Sequence, residues 1–382
     1  MSVPRIRVDG FNKNFEKKIF GEIVRSESTR MYIKGVVSDL GKYEVIQQGD
    51  IPILGYSDDR PFEKYKSVIL FGDHTLSLYR PKAPFLLATD GIKILQSTIL
   101  KRDYLYYLTQ NYIPKSQGYK RHFSLLKQVF VNYSRDSSEQ SAIGSLFRTL
   151  DDLLASYKDN LANYQSFKET MLFKMFPKAG QTVPEIRLDG FDGEWEKSKL
   201  KDVAHRVQGN DGRMDLPTLT ISASGGWMDQ IDRFSANIAG KEQKNYTLLK
   251  KGELSYNHGN SKLAKYGVVF ELQEYEEALV PKVYHSFRVN QLADSKFIEI
   301  MFSTKIPDRE LGKLISSGAR MDGLLNISFD DFMNISIIIP TIKEQQAIGS
   351  YFSNLDNLIN SHREKISQLE TLKKKLLQDM FI

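Results

Sequence analysis

Two separate stretches of this chain are each written twice, and the copies bracket two unrelated fillings. Residues 3–17 (VPRIRVDGFNKNFEK) recur as 183–197 (VPEIRLDGFDGEWEK), with Arg7/Arg187, Asp9/Asp189, Gly10/Gly190, Phe11/Phe191 and Glu16/Glu196 among the identities. Residues 139–176 recur without a gap as 344–381, both opening Glu-Gln-x-Ala-Ile-Gly-Ser. The intervening stretches, roughly 18–138 and 198–343, share little. Any fold must therefore build one scaffold twice and hold two dissimilar modules in it.

The second repeated stretch is helical by its spacing. Ile143, Phe147, Leu150, Leu154, Tyr157, Leu161, Tyr164, Lys168, Met171 and Met175 alternate by four and three, as do Ile348, Phe352, Leu355, Ile359, His362, Ile366, Leu369, Lys373, Leu376 and Met380. That is a heptad seam, with a lysine at the same position of both copies. Thirty-eight residues make a rod of roughly 57 Å. A stripe so narrow must be covered by another helix, and the internal partner for each copy is the other copy. The connection 177–182 (PKAGQT) leads from the first helix into the second half, so the copies are expected to pair antiparallel, with a globular half at either end. An ordinary dimerisation coiled coil is the rival reading.

A chain of 382 residues with 41% hydrophobic and 26% charged side chains can bury ordinary cores. It divides naturally into 1–138, 139–178, 179–338 and 339–382. Short β-branched or aromatic runs at 66–72, 85–88, 91–95, 218–222, 267–272, 283–289 and 335–339 read as strands, and 101–112 and 295–302 as helices. The fold class expected is α+β: two globular mixed α/β domains separated by an antiparallel pair of long coiled-coil-like helices, related by a pseudo-two-fold internal repeat. There is no cysteine, the N-terminus has no apolar core of a leader, and apolar runs are too short to cross a bilayer, which together predict a soluble, cytoplasmic protein.

Charge is unevenly shared. Residues 1–138 carry 22 Lys+Arg against 14 Asp+Glu, or +8, while 183–338 carry 20 against 23, or −3. A basic excess suits a polyanion. The second half must then present its cations locally, and Lys241, Lys244, Lys250, Lys251, Lys262 and Lys265 fall in one stretch, opposite an acidic run at 271–277. Glycine sits beside basic residues at 116–121 (SQGYKR) and 316–320 (SSGAR), where it either approaches a phosphate or sets a turn. The polar run 257–262 (NHGNSK) can reach base edges or can be a plain surface loop. The Gly/Ser-rich 218–227 (TLTISASGGW) lacks phosphate-loop spacing and reads as a loop.

Catalytic patterns are missing. No phosphate-binding GxxxxGK[ST], dinucleotide GxGxxG or Asn/Asp-Pro-Pro-aromatic quartet occurs, and Pro307-Asp308 is followed by no Glu-x-Lys before Pro340. The six histidines have no i, i+3 or i+4 pair to hold a metal.

Taken together, the frames resemble those of the specificity (S) subunits of type I restriction-modification systems, whose halves open with Pro-x-hydrophobic-Arg-x-x-Gly-Phe-x-x-x-Trp and close with Pro-x-x-x-Glu-Gln-x-x-Ile before a long helix. Residues 183–195 and 340–348 (PTIKEQQAI) match closely; the first copy departs at Phe15, where Trp195 stands in the second, and at Arg135, where Pro340 stands. The resemblance implies a non-catalytic subunit whose two target recognition domains each read part of a split sequence in double-stranded DNA. Its helices would set the gap and dock two modification (methyltransferase) subunits. No cofactor belongs to such a chain: S-adenosylmethionine serves the modification subunits, and ATP and Mg serve restriction subunits where these join. Candidate DNA contacts are Arg30, Lys34, Arg80, Lys82, Lys120 and Arg121 in the first half, and Arg213, Asn257, His258, Asn260, Lys262 and Arg320 in the second. An enzyme with a cryptic methyltransferase or nuclease site and a protein-interaction scaffold are the competing classes.

Overall fold

The computed structural model describes residues 3–118, 120–234, 240–259, 262–315 and 324–381, without the side chains of 234, 241 and 242. The chain forms two compact units, one of 1–160 with 362–382, the other of 161–361.

In the first unit, Glu16–Ile19 pairs antiparallel with Phe130–Tyr133, so the end of the opening frame zips to the strand that precedes the long helix. Between them lie a four-stranded sheet, ordered Arg25–Glu27, Ile92–Gln96, Val68–Gly72, Leu78–Tyr79, and a three-stranded one in which Tyr43–Ile46 lies between Ile53–Ser57 and the parallel Phe85–Leu87. Val68–Gly72 is buried at every position, as a strand covered on both faces must be. Ile46, Phe62, Phe85 and Ile94 build the core beside it. Helix Arg102–Asn111 buries Tyr104, Leu105, Tyr107 and Leu108, the spacing of one helical face.

The second unit repeats the closure, with Glu196–Lys199 antiparallel to Ser336–Ile339, around different contents. Its four-stranded sheet runs Ala204–Arg206, His285–Val289, Leu254–Asn257, Val268–Glu271. The run 218–222, read as a strand, is Leu219–Ser222, and it pairs with Gly226–Asp229 in a β-hairpin, so the wider stretch 218–227 is not a plain loop. Leu219 and Ile221 are buried in its inner face, while the Gly and Ser residues of the turn obscured the partner strand Gly226–Asp229.

Identical frame residues make identical bonds. Arg7 donates from Nε and Nη2 to the two carboxylate oxygens of Glu139 at 2.6 and 2.9 Å, and Arg187 does the same to Glu344 at 2.7 and 2.6 Å. Both glutamates are buried. The adjacent glutamines stitch strand, helix and filling together. Gln140 donates to the carbonyls of Ile99 and Ser134 and accepts from the amide of Lys101; Gln345 donates to Leu292 and Pro340 and accepts from Asp294. Next along the helix, Gly144 and Gly349 let a neighbour approach: a Cβ on Gly144 would stand 3.1 Å from the Tyr104 nitrogen, and one on Gly349 3.2 Å from Asp294 Oδ1. Where Arg135 replaces proline, its guanidinium pairs with Glu16 at 3.1 Å, and Asp136 caps the helix by accepting from the amides of Ser138 and Glu139.

The long helices are Ser137–Lys174 and Ile342–Met380, each starting two residues before the repeated stretches 139–176 and 344–381. Within the first unit, Asp151 meets Lys373 and Lys158 meets Glu370, so ascending numbers face descending ones. Within the second unit, Lys168 meets Asp356 at 2.5 Å. The orientation is antiparallel in both. Asp151 and Asp356 are equivalent, as are Lys168 and Lys373, so the two seam lysines make reciprocal pairs. A parallel pair would set lysine against lysine; the seam charge thus selects direction and register. Each long helix ends in a Met-Phe buried where the other begins. Phe381 lies 5.2 Å from the Tyr104 ring in the first unit, and Phe176 lies 5.6 Å from Phe297 in the second. Among the described residues no helix is long and apolar enough to cross a membrane.

Candidate nucleic-acid interface

The structure sorts the candidate contacts into three groups. Arg30, Lys82, Lys120 and Lys262 are exposed. Lys34 reaches Asp59 at 3.0 Å, and Arg121 reaches Asp90 at 3.4 Å with both side chains well exposed. Surface pairs of this kind contribute about 0–1 kcal/mol, so they exchange readily for phosphate. Gln117 is held by buried His122, whose Nδ1 donates to the Asp73 carbonyl while Nε2 accepts from the Gln117 amide. Gly118 has φ +76°, so the glycine there sets a turn and leaves Lys120 and Arg121 at the surface.

Four candidates are held by internal bonds, which corrects their reading as open contacts. Arg80 donates to Asp151 at 3.0 Å and lies over the rings of Tyr106 and Tyr107 at 4.4 and 5.0 Å. Arg213 is held between Asp211 and Glu277, at 2.8 and 2.6 Å. His258 is buried, with Nδ1 and Nε2 each 2.9 Å from a carbonyl oxygen, those of Leu325 and Val283. Asn257 is half-buried, donating to the Ile221 carbonyl and accepting from the Gly259 amide. Asn260 and Arg320, with the rest of 316–320, lie outside the described residues. The separation of basic from acidic runs in the second half is also incomplete: Lys250 pairs with Glu277 and Lys251 with Glu276.

His258 stacks on His285 with ring centroids 4.7 Å apart, joined by Tyr256. Burial, aided by the neighbouring His258 and Arg206, pushes the His285 imidazole down to about 4, although its bond to the Ile327 carbonyl favours the charged form. An unfolded histidine titrates near 6.5. Stability from the neutral ring is therefore full above pH 6.5 and is lost as pH falls through 4, amounting to on the order of 2–3 kcal/mol by pH 4.5. Denaturant unfolding of the second unit at pH 7.5 and 4.5 is expected to show this loss in the parent and to show it flattened in His285→Gln. Equal acid sensitivity in both would remove the ring from the account.

Residues not singled out in the sequence join the candidates in the first unit. Lys66, Lys101, Arg102 and Arg148 line one cleft with Arg80 and Lys82. They come from four separate parts of the chain, but two were detectable: Arg148 aligns with Ser353 in the gapless repeat, and Lys101 occupies the position of Asp294 at the glutamine stitch.

Residues 192–371 match the sequence model of the type I restriction modification DNA specificity domain. The second half of the chain thus resembles that domain. The unmatched first half has the same Arg-Glu clasp, glutamine stitch and closing strand pair as the matched one. A type I restriction enzyme specificity subunit, MjaVIII of Methanocaldococcus jannaschii, is 20% identical over 269 residues, covering 66% of this chain and 62% of that relative. The crystal structure of the type I restriction-modification S subunit from M. genitalium superposes with a TM-score of 0.62 at 14% identity, over 100% of this chain and 99% of that one, and so shares the specificity-subunit fold.

Proposed function

We propose that this chain is the DNA-recognition subunit of a type I restriction-modification enzyme and has no catalytic activity of its own. Residues 1–138 and 179–338 are the two target recognition domains, each reading one part of a bipartite sequence. Residues 139–178 and 339–382 set the spacer and dock two modification subunits, which bind S-adenosylmethionine; ATP and Mg belong to restriction subunits where these join. One observation carries the reading: two equivalent clasps, Arg7–Glu139 and Arg187–Glu344, enclose unrelated contents in a chain whose second half resembles a DNA specificity domain. A repeated scaffold with divergent fillings suits an asymmetric target. Mapping N6-methyladenine across the host genome with and without this chain tests it. One bipartite motif is expected to disappear with the chain; methyl transfer by the purified chain alone, or an unchanged methylome, would overturn the assignment.

A further inference from the structure

The cleft lined by Lys66, Arg80, Lys82, Lys101, Arg102 and Arg148 has a volume of 690 Å³ and opens between the filling of the first unit and the start of its long helix. Against six cations it presents two carboxylates, Asp103 and Asp152. Asp103 is shared three ways, lying 3.7 Å from Arg80, 3.4 Å from Arg102 and 3.3 Å from Arg148. Asp103 and Asp151, the latter also paired with Lys373, leave the three guanidiniums in excess. Arg80 Nη1 is buried here with no hydrogen-bond acceptor, a donor left over after Nη2 has bonded Asp151.

The second unit shows what is missing. At the position equivalent to Lys101, Asp294 caps helix Ser295–Ser303 by accepting from the Phe297 amide at 2.9 Å. Helix Arg102–Asn111 has Lys101 at its cap and no side-chain bond there. Its first-turn amides lack the side-chain acceptor that the other half supplies, and the acidic residue of that turn, Asp103, is already shared among three guanidiniums.

We propose that this cleft takes a backbone phosphate of the DNA, received by the guanidiniums and the uncapped helix start together. The inference rests on the recognition reading above and names where the first half grips the duplex. Planar guanidiniums sharing a carboxylate exchange it readily for phosphate, with which they form paired bonds. A docking site for modification subunits would be expected in both frames. The residues of this site are not repeated in the other copy: five of its cations come from the filling, and the frame's Arg148 is Ser353 there. The grip is sequence-independent, so it adds affinity equally to every duplex.

The test uses the full chain assembled with its methyltransferase subunits. Lys101→Asp gives the helix the cap of its counterpart, so the thermal midpoint should hold or rise while DNA binding weakens. Arg148→Gln, at an exposed position, is a second variant that spares the fold. Each is expected to weaken binding about ten-fold at 0.1 M salt and to lower the slope of log affinity against log salt by about one, equally on the cognate duplex and one of scrambled sequence. If the parent complex binds both duplexes equally, the recognition reading itself fails. If the parent discriminates and both variants bind as it does, with the same slope, the cleft is not a phosphate site. Loss of methyltransferase subunits on gel filtration with DNA affinity intact would make it a protein-docking surface and overturn the inference.

Discussion

Exchanging residues 18–138 for the corresponding filling of a type I specificity subunit is expected to change one half of the methylated sequence and leave the other half and the spacer as they were. The reason lies in how the frame holds its contents. Gln140 and Gln345 bond the fillings at the Ile99 carbonyl and Lys101 amide and at the Leu292 carbonyl and Asp294 amide. Backbone groups such as these are offered by any sequence, so the clasp does not depend on which side chains the filling carries. The Arg7–Glu139 pair lies outside the exchanged stretch altogether. Even three altered base pairs, at about 1–3 kcal/mol each, would lower affinity for the parent site by roughly 10²-fold or more. Methylome sequencing of a host carrying the exchanged chain reads the result directly. A motif altered in both halves would show that the fillings do not act independently.

The repeated parts of this molecule were legible and the contact surface was only partly so, for one physical reason. A heptad seam is a local pattern, and both long helices run through it, beginning two residues before the repeated stretches 139–176 and 344–381. The buried strand Val68–Gly72 was likewise visible as a short run of β-branched and aromatic residues. Partnerships are not local. Arg80 meets Asp151 across 71 residues and Arg213 meets Glu277 across 64, so a list of cations cannot tell a free one from a paired one. His258 illustrates the same limit: its polar neighbours in sequence suggested a surface loop, while in space it lies against Tyr256 and His285. Comparison of the two copies was the underused signal. Lys168 and Lys373, like Asp151 and Asp356, are equivalent in the gapless repeat, but that each lysine meets the other copy's aspartate follows only from the antiparallel register.

The clasp of the second unit should be its most sensitive point. Glu344 is 1% exposed and Arg187 15%, and the guanidinium also donates to the Gly193 carbonyl, so the opening segment, its turn and the helix start meet at one charge pair. Removing one member of a buried, doubly hydrogen-bonded pair leaves the other charged and unpaired, at a cost of about 3–5 kcal/mol. Arg187→Ala is therefore expected to destabilise the second unit by that amount, whereas Arg187→Ala combined with Glu344→Gln should lose less than the two single changes added together, because no orphaned carboxylate remains. Both residues belong to the same compact unit, as Arg7 and Glu139 do to the other. Urea unfolding followed by tryptophan fluorescence is well placed to see this: Trp195 sits in the core under the clasp, against Phe176 and Phe297. An early transition in the tryptophan signal, to which Trp195 and Trp227 of the second unit contribute, is expected for Arg187→Ala and not for Arg7→Ala, since the latter weakens the unit that holds no tryptophan. If the two variants shift that signal equally, the clasps are not independent, and the two halves unfold as one cooperative body.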